Sequence, residues 1–264
     1  MKWALAAGAA GYAVLFLFPA FFADALIFRP PAPGYRDDGT ILKLRTADGV
    51  RISARYLPNA KARHTLLYSH GKREDLATIR PFLERLEGWG FSVFAYDYHG
   101  YGTSEGQPSE ENVYRDIDAA YDYLTTVARI PPERIIVSGH SLGTGPSVDL
   151  AARRQVGGLI LDSGFTSAFR VVTQVPLPPF DRFRNLDKLG RVHCPILVIH
   201  RRHDEVVPFQ HGEALYEAAN EPKQHEWMDQ GKHEAIYEGL GEEYGEVLRG
   251  FCDGIATGDT DEHG

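Results

Sequence analysis

A serine set between two glycines, in Gly139-His140-Ser141-Leu142-Gly143, is where residue type and spacing first suggest chemistry. The pattern is G-x-S-x-G. It lies between an apolar run, "RIIVSG", and a helix-forming stretch, "GPSVDLAARR". In that setting the glycines permit a sharp strand-to-helix turn that presents a serine hydroxyl. A glycine-rich connection that only reverses the chain is the plainer reading, and the remaining residues have to separate the two. A serine hydroxyl is a poor nucleophile at neutral pH. It needs a base, and the base needs an acid to orient it.

With such an elbow the acid and the histidine follow the serine in that order. Asp204 stands just past the apolar run "ILVIH" and is the expected acid; Glu205 is adjacent but less well placed. A surface carboxylate capping the next helix is the competing role for Asp204. Among eleven histidines, His64, His70 and His99 precede the serine and His140 lies inside the elbow. His211 falls on a predicted helix, His225 on a predicted strand and His263 in the tail. His233, in the glycine-containing stretch "DQGKHEAIY", is the expected base, 29 residues after Asp204. His200, His203 and Asp204 could suggest a metal site, but no further ligand stands out to complete it, so no metal and no cofactor is expected. A tetrahedral intermediate needs two backbone N–H donors. Leu142, after the serine, and Lys72, in "YSHGKRED", are the expected pair.

The elements that must hold these residues alternate along the chain. "TILKLRT" and "VRISARYL" flank Asp48-Gly49 as a hairpin. "TLLYSH", "FSVFAYD", "RIIVSG", "GGLILDS", "CPILVIH" and "KQHEWMD" read as strands, with helical stretches between them. The first helix is expected to carry Leu76, Ile79, Leu83 and Leu86, and the second to start at an N-cap Ser109. Buried apolar strands alternating with helices predict an α/β fold with a mostly parallel central sheet and helices on both faces. Residues 163–192 break the alternation and are expected to form a short lid insert. The tyrosine-rich "YDYHGYGTSEG" reads as a structural loop near the pocket rim.

Around this domain, expected over 39–255, lie three further segments. Residues 1–28 are apolar from Trp3 to Phe28 apart from Asp24, long enough to span a bilayer. An uncleaved membrane anchor is the favoured reading, with a cleaved export signal and a secreted protein as the alternative. The cations after the segment favour a cytoplasmic domain, whereas a short segment behind Lys2 also resembles an export signal. Residues 29–38 read as a linker and 256–264 as a disordered tail. A net charge of −8 with no basic stripe argues against a nucleic-acid partner. Two cysteines, Cys194 and Cys252, make no disulfide framework, and Cys194 is expected to be a buried thiol.

Across residues 40 to 253 the chain resembles an α/β-hydrolase. "LLYSHGKREDL", "VFAYDYHGYGTSEGQPSEENVYRDIDAAYDYL", "SGHSLGTGPSVDLA" and "ILVIHRRHDEVVPFQHG" are similar to the membrane-associated serine hydrolases whose animal members remove palmitate from protein cysteines. The resemblance implies a triad of Ser141, Asp204 and His233, with oxyanion donors at Lys72 and Leu142. It departs from the family at Lys72, where asparagine is usual, at Arg201, where glycine is usual, and in an apolar rather than cysteine-rich N-terminus. The expected activity is hydrolysis of small-molecule or protein-linked acyl esters or thioesters through an acyl-enzyme. Phe165, Phe169, Val171 and Leu177 of the insert are expected to line the acyl path. Peptide-bond cleavage, as in prolyl-oligopeptidase relatives, and a non-catalytic binding module are the alternatives.

Overall fold

The computed structural model describes residues 23–173, 181–229, 233 and 241–258. Eight strands form one sheet: β1 (Leu42–Arg45), β2 (Arg51–Leu57), β3 (Thr65–Ser69), β4 (Ser92–Tyr96), β5 (Ile135–His140), β6 (Gly158–Asp162), β7 (Ile196–Arg201) and β8 (Lys223–Met228). Their spatial order is β1-β2-β4-β3-β5-β6-β7-β8, antiparallel as far as β2–β4 and parallel from there on. The five main helices are α1 (Arg80–Gly88), α2 (Glu110–Asp122), α3 (Thr144–Ala151), α4 (Gln210–Ala218) and α5 (Glu242–Gly258).

Strand residues divide by the two-residue period. On β5, Ile135 and Val137 join the core under α2, α3 and α4, while Ile136 joins the core under α1 and α5. On β7, Ile196 and Val198 face the first layer, and Leu197 and Ile199 the second. Burial on both faces explains why these strands read as apolar runs. Each such side chain contributes roughly 1.5–3 kcal/mol of apolar burial.

The hairpin forms around Gly49, whose φ is +87°, and Ser109 caps α2 by accepting from the Asn112 N–H at 3.1 Å. The first helix differs from expectation. Leu76 and Ile79 are buried, but α1 begins only at Arg80. Pro81 suits a helix start, and the Asp75 carboxylate holds residues 75–78 in a turn by accepting from the Ala77 and Thr78 N–H groups. At the other end, α5 runs through Gly258, so residues 256–258 are helical rather than part of a loose tail. Residues 259–264 lie outside the described residues, as does most of the apolar N-terminal segment. Among the described residues, no helix is long and apolar enough to cross a membrane. Cys194 is half-buried, not buried, whereas Cys252 is buried; burial pushes both thiols up to about 12.

Candidate active site

Ser141 is the first residue past β5, at the carboxyl ends of the parallel strands. Its φ of +50° is in the left-handed region, which strains any residue with a Cβ. The neighbours force this turn. A Cβ at Gly139 would collide with the Gly143 carbonyl and the Ser147 hydroxyl, and one at Gly143 with the Ser69 carbonyl. The elbow therefore packs between β3 and α3 only with glycine on either side of the serine.

His233 Nε2 lies 2.9 Å from Ser141 Oγ, and His233 Nδ1 lies 2.7 Å from Asp204 Oδ2. Asp204 follows β7. Its Oδ1 accepts from the Val206 and Val207 N–H groups at 2.8 Å each. Burial alone would raise the Asp204 pKa. The His233 ring and the two backbone N–H groups outweigh it and lower the carboxyl to about 2. The ionised carboxylate then accepts the Nδ1 proton of His233, leaving Nε2 to accept from the serine hydroxyl. Sequence elements 92 residues apart thus meet in one hydrogen-bonded chain.

Glu205 is exposed and takes no part in that chain. His200 is fully buried and 3.8 Å from Asp204. Its Nε2 donates to the Val207 carbonyl at 2.9 Å, and burial holds its pKa down. Among the described residues, no group of three or more His, Cys, Asp or Glu could hold a metal ion.

Ser141 and His233 open onto a cavity of about 790 Å³, within the range of small-molecule sites. Lys72 and Leu142 line it, as do Phe165, Phe169 and Val171 of the insert. Leu177 lies outside the described residues. Leu26 and Ile27, at the end of the apolar N-terminal segment, also line it. Arg201 is fully buried and pairs with Asp162 at 2.8 Å and with the Ser163 hydroxyl at 2.9 Å. The Tyr244 hydroxyl, on α5, donates to the other Asp162 oxygen at 2.9 Å. No local sequence signal joins Arg201 and Tyr244 to Asp162.

The serine aminopeptidase S33 family profile matches residues 60–186. Alpha/beta hydrolase domain-containing protein 17B of Xenopus tropicalis is 42% identical over 210 residues, covering 77% of this chain and 70% of that protein. The chain belongs to the alpha/beta-hydrolase family. Another relative of this hydrolase, alpha/beta hydrolase domain-containing protein aho-3 of Caenorhabditis elegans, is 36% identical over 269 residues, covering 89% of this chain and 79% of that protein. Among solved structures, the hydrolase fold matches a Pyrococcus furiosus esterase with a TM-score of 0.72 at 19% identity, over 86% of this chain and 98% of that one. Est1E of Butyrivibrio proteoclasticus, solved with ferulic acid bound, matches with a TM-score of 0.67 at 18% identity, over 81% of this chain and 99% of that one.

Proposed function

We propose that this hydrolase is a membrane-associated serine enzyme that cleaves acyl esters or thioesters. The Asp204–His233–Ser141 chain, opening onto a largely apolar cavity, carries the reading. Ser141 Oγ bonds to the acyl carbon as its proton passes to His233 Nε2. The resulting oxyanion is met by the Leu142 and Lys72 N–H groups. Collapse breaks the bond to the leaving oxygen or sulfur, which takes the proton from His233. Water then repeats the sequence on the acyl-enzyme: its proton goes to His233, its oxygen to the acyl carbon. The acid leaves and the proton returns to Ser141. Asp204 keeps its charge throughout and holds the ring.

Membrane association is supported by the cavity mouth. Leu26 and Val206 are 49% and 36% exposed, two of the three exposed large hydrophobics among the described residues, and both line the cavity. The apolar run Trp3–Phe28 leads directly into this wall. It would anchor the enzyme with its cavity mouth near the acyl region of a bilayer. A peptidase reading is favoured only by the name of the matched family profile.

The test is hydrolysis of p-nitrophenyl esters from C2 to C16, with wild type beside Ser141→Ala. Loss of activity by at least about 10⁴-fold in the variant supports the nucleophile. Turnover of aminoacyl p-nitroanilides in preference to every ester would replace the esterase reading with the peptidase one.

A further inference from the structure

The segment from Arg29 to Tyr35 forms neither helix nor strand, yet it is tied to the loop that follows β3. We propose that this segment is a strap that fixes the oxyanion loop, with Tyr35, Asp97 and His70 as positioning residues for the Lys72 N–H. The inference rests on the reading of Ser141 as nucleophile and Lys72 as an oxyanion donor.

The loop residues His70, Gly71 and Lys72 have each carbonyl held by a side chain. The Tyr98 hydroxyl donates to the His70 carbonyl at 2.6 Å, the His70 Nδ1–H to the Gly71 carbonyl at 2.8 Å, and the Tyr101 hydroxyl to the Lys72 carbonyl at 2.9 Å. The Gly71 N–H donates to Glu74 Oε2 at 2.6 Å. The middle contact matters most. In a trans peptide the carbonyl and the next N–H point to opposite edges of one plane. Whatever holds the Gly71 carbonyl therefore aims the Lys72 N–H; His70 holds it at 2.8 Å, and the Glu74 N–H donates to it at a longer 3.3 Å.

His70 is in turn placed from behind. Its Nε2 lies 3.2 Å from Asp97 Oδ1, with both side chains fully buried. Asp97 Oδ1 also accepts from the Leu76 N–H at 3.0 Å, and Asp97 Oδ2 accepts from the Tyr35 hydroxyl. Gly102, with φ +51°, sits where any Cβ would collide with Asp97 Oδ2 and crowd the Tyr35 hydroxyl. The tyrosine-rich loop thus leaves room for the strap. A second tie runs in parallel: the Arg29 N–H donates to the Tyr101 hydroxyl at 3.2 Å, and that hydroxyl holds the Lys72 carbonyl. The Gly34 N–H donates to Asp75 Oδ2 at 2.7 Å and seats the strap between them.

A buried histidine–carboxylate pair is a poor device for stability alone, since apolar groups of the same volume often serve as well. Here it acts on a reacting group. Burial works against a charged His70, but Asp97, the Gly71 carbonyl and Glu74 raise its pKa. The His70 Nδ1–H held against the Gly71 carbonyl polarises the Gly71–Lys72 amide and strengthens its N–H as a donor.

The experiment is ester turnover by the full chain, expressed per active site titrated with a fluorophosphonate, for Tyr35→Phe, His70→Ala and His70→Asn, with Ser141→Ala, which has no serine to titrate, compared per mole of protein. Affinity for an alkyl trifluoromethyl ketone, which forms a tetrahedral oxyanion adduct, is measured alongside. Tyr35→Phe is expected to lower kcat about three- to tenfold and His70→Ala up to about 10²-fold, the lower range for one lost oxyanion donor, with KM nearly unchanged. Ketone affinity should fall in step with kcat/KM. His70→Asn, whose amide can still donate to the Gly71 carbonyl, should recover part of the loss. Titration counts only folded sites, and Tyr35→Phe removes a single oxygen, so a folding defect does not mimic the effect. Wild-type kcat per site in both Tyr35→Phe and His70→Ala, a loss confined to KM, or unchanged ketone affinity would each overturn the strap. Activity persisting in Ser141→Ala would instead overturn the triad reading beneath it.

Discussion

Two histidine–aspartate pairs flank the reaction centre, and they are built for opposite tasks. His233 of the His233–Asp204 pair lines the cavity, and its ring bridges a carboxylate and the Ser141 hydroxyl. His70–Asp97 is sealed from solvent, and its ring bridges a carboxylate and the Gly71 carbonyl. The first ring faces a group that can give up a proton. The second faces one that can only accept. A ring that cycles its proton must reach the substrate, and a ring that only orients a peptide works best where nothing can take its proton away. The same two residue types thus serve as a proton shuttle or as a fixed strut, according to what lies at the far nitrogen.

The comparison can be broken first by Asp204→Asn. This variant favours the wrong His233 tautomer and is expected to lower kcat by about 10⁴-fold, far beyond His70→Asn. Equal losses measured by steady-state kinetics would mean that both pairs belong to one machine.

The pairs should also fail at opposite ends of the pH scale. Asp204 is held low, at about 2. Its stabilisation is present above the unfolded value of about 4 and lost as pH falls from there toward about 2. His70, facing Asp97 and Glu74 and ringed by Tyr98 and Tyr101, is held high. Its stabilisation is full below the unfolded value of about 6.5 and lost as pH rises through the folded value. In thermal melts, the advantage of wild type over Asp204→Asn should shrink in acid, and that over His70→Asn should shrink in alkali. A pH-independent gap for either variant would remove the charge from that pair.

The smallest effect is expected at Lys72. Only its backbone N–H is used, so Lys72→Ala should leave kcat within about twofold, the side chain being felt in KM. A loss as large as that of His70→Ala would place the ammonium group, rather than the amide, at the oxyanion.

Much of this was legible from local pattern. The two-residue period and apolar runs marked the strands, because burial on both faces demands it. Gly139 and Gly143 marked the elbow, because no Cβ fits there. Other features were not legible, for want of a local signal. Pro81 and Asp75 moved the start of α1 past Leu76 and Ile79, whose apolar spacing alone looked helical. Nothing beside Arg201 in the sequence pointed to Asp162, which pairs with it, or to Tyr244, which holds the other oxygen of that carboxylate. Residues 29–38 read as a linker because proline, charge and small residues dominate them, whereas Tyr35 is tied to Asp97.

The order and types of Ser141, Asp204 and His233, and the strands that end beside them, follow from the amino-acid sequence itself, since strand period and turn chemistry are properties of neighbouring residues. Which histidine faces a hydroxyl and which a carbonyl, and which segment closes over the loop at Gly71, were decided only by the tertiary structure. Those relations join groups tens of residues apart, and a hydrogen bond depends on distance and direction in space, which chain spacing does not carry.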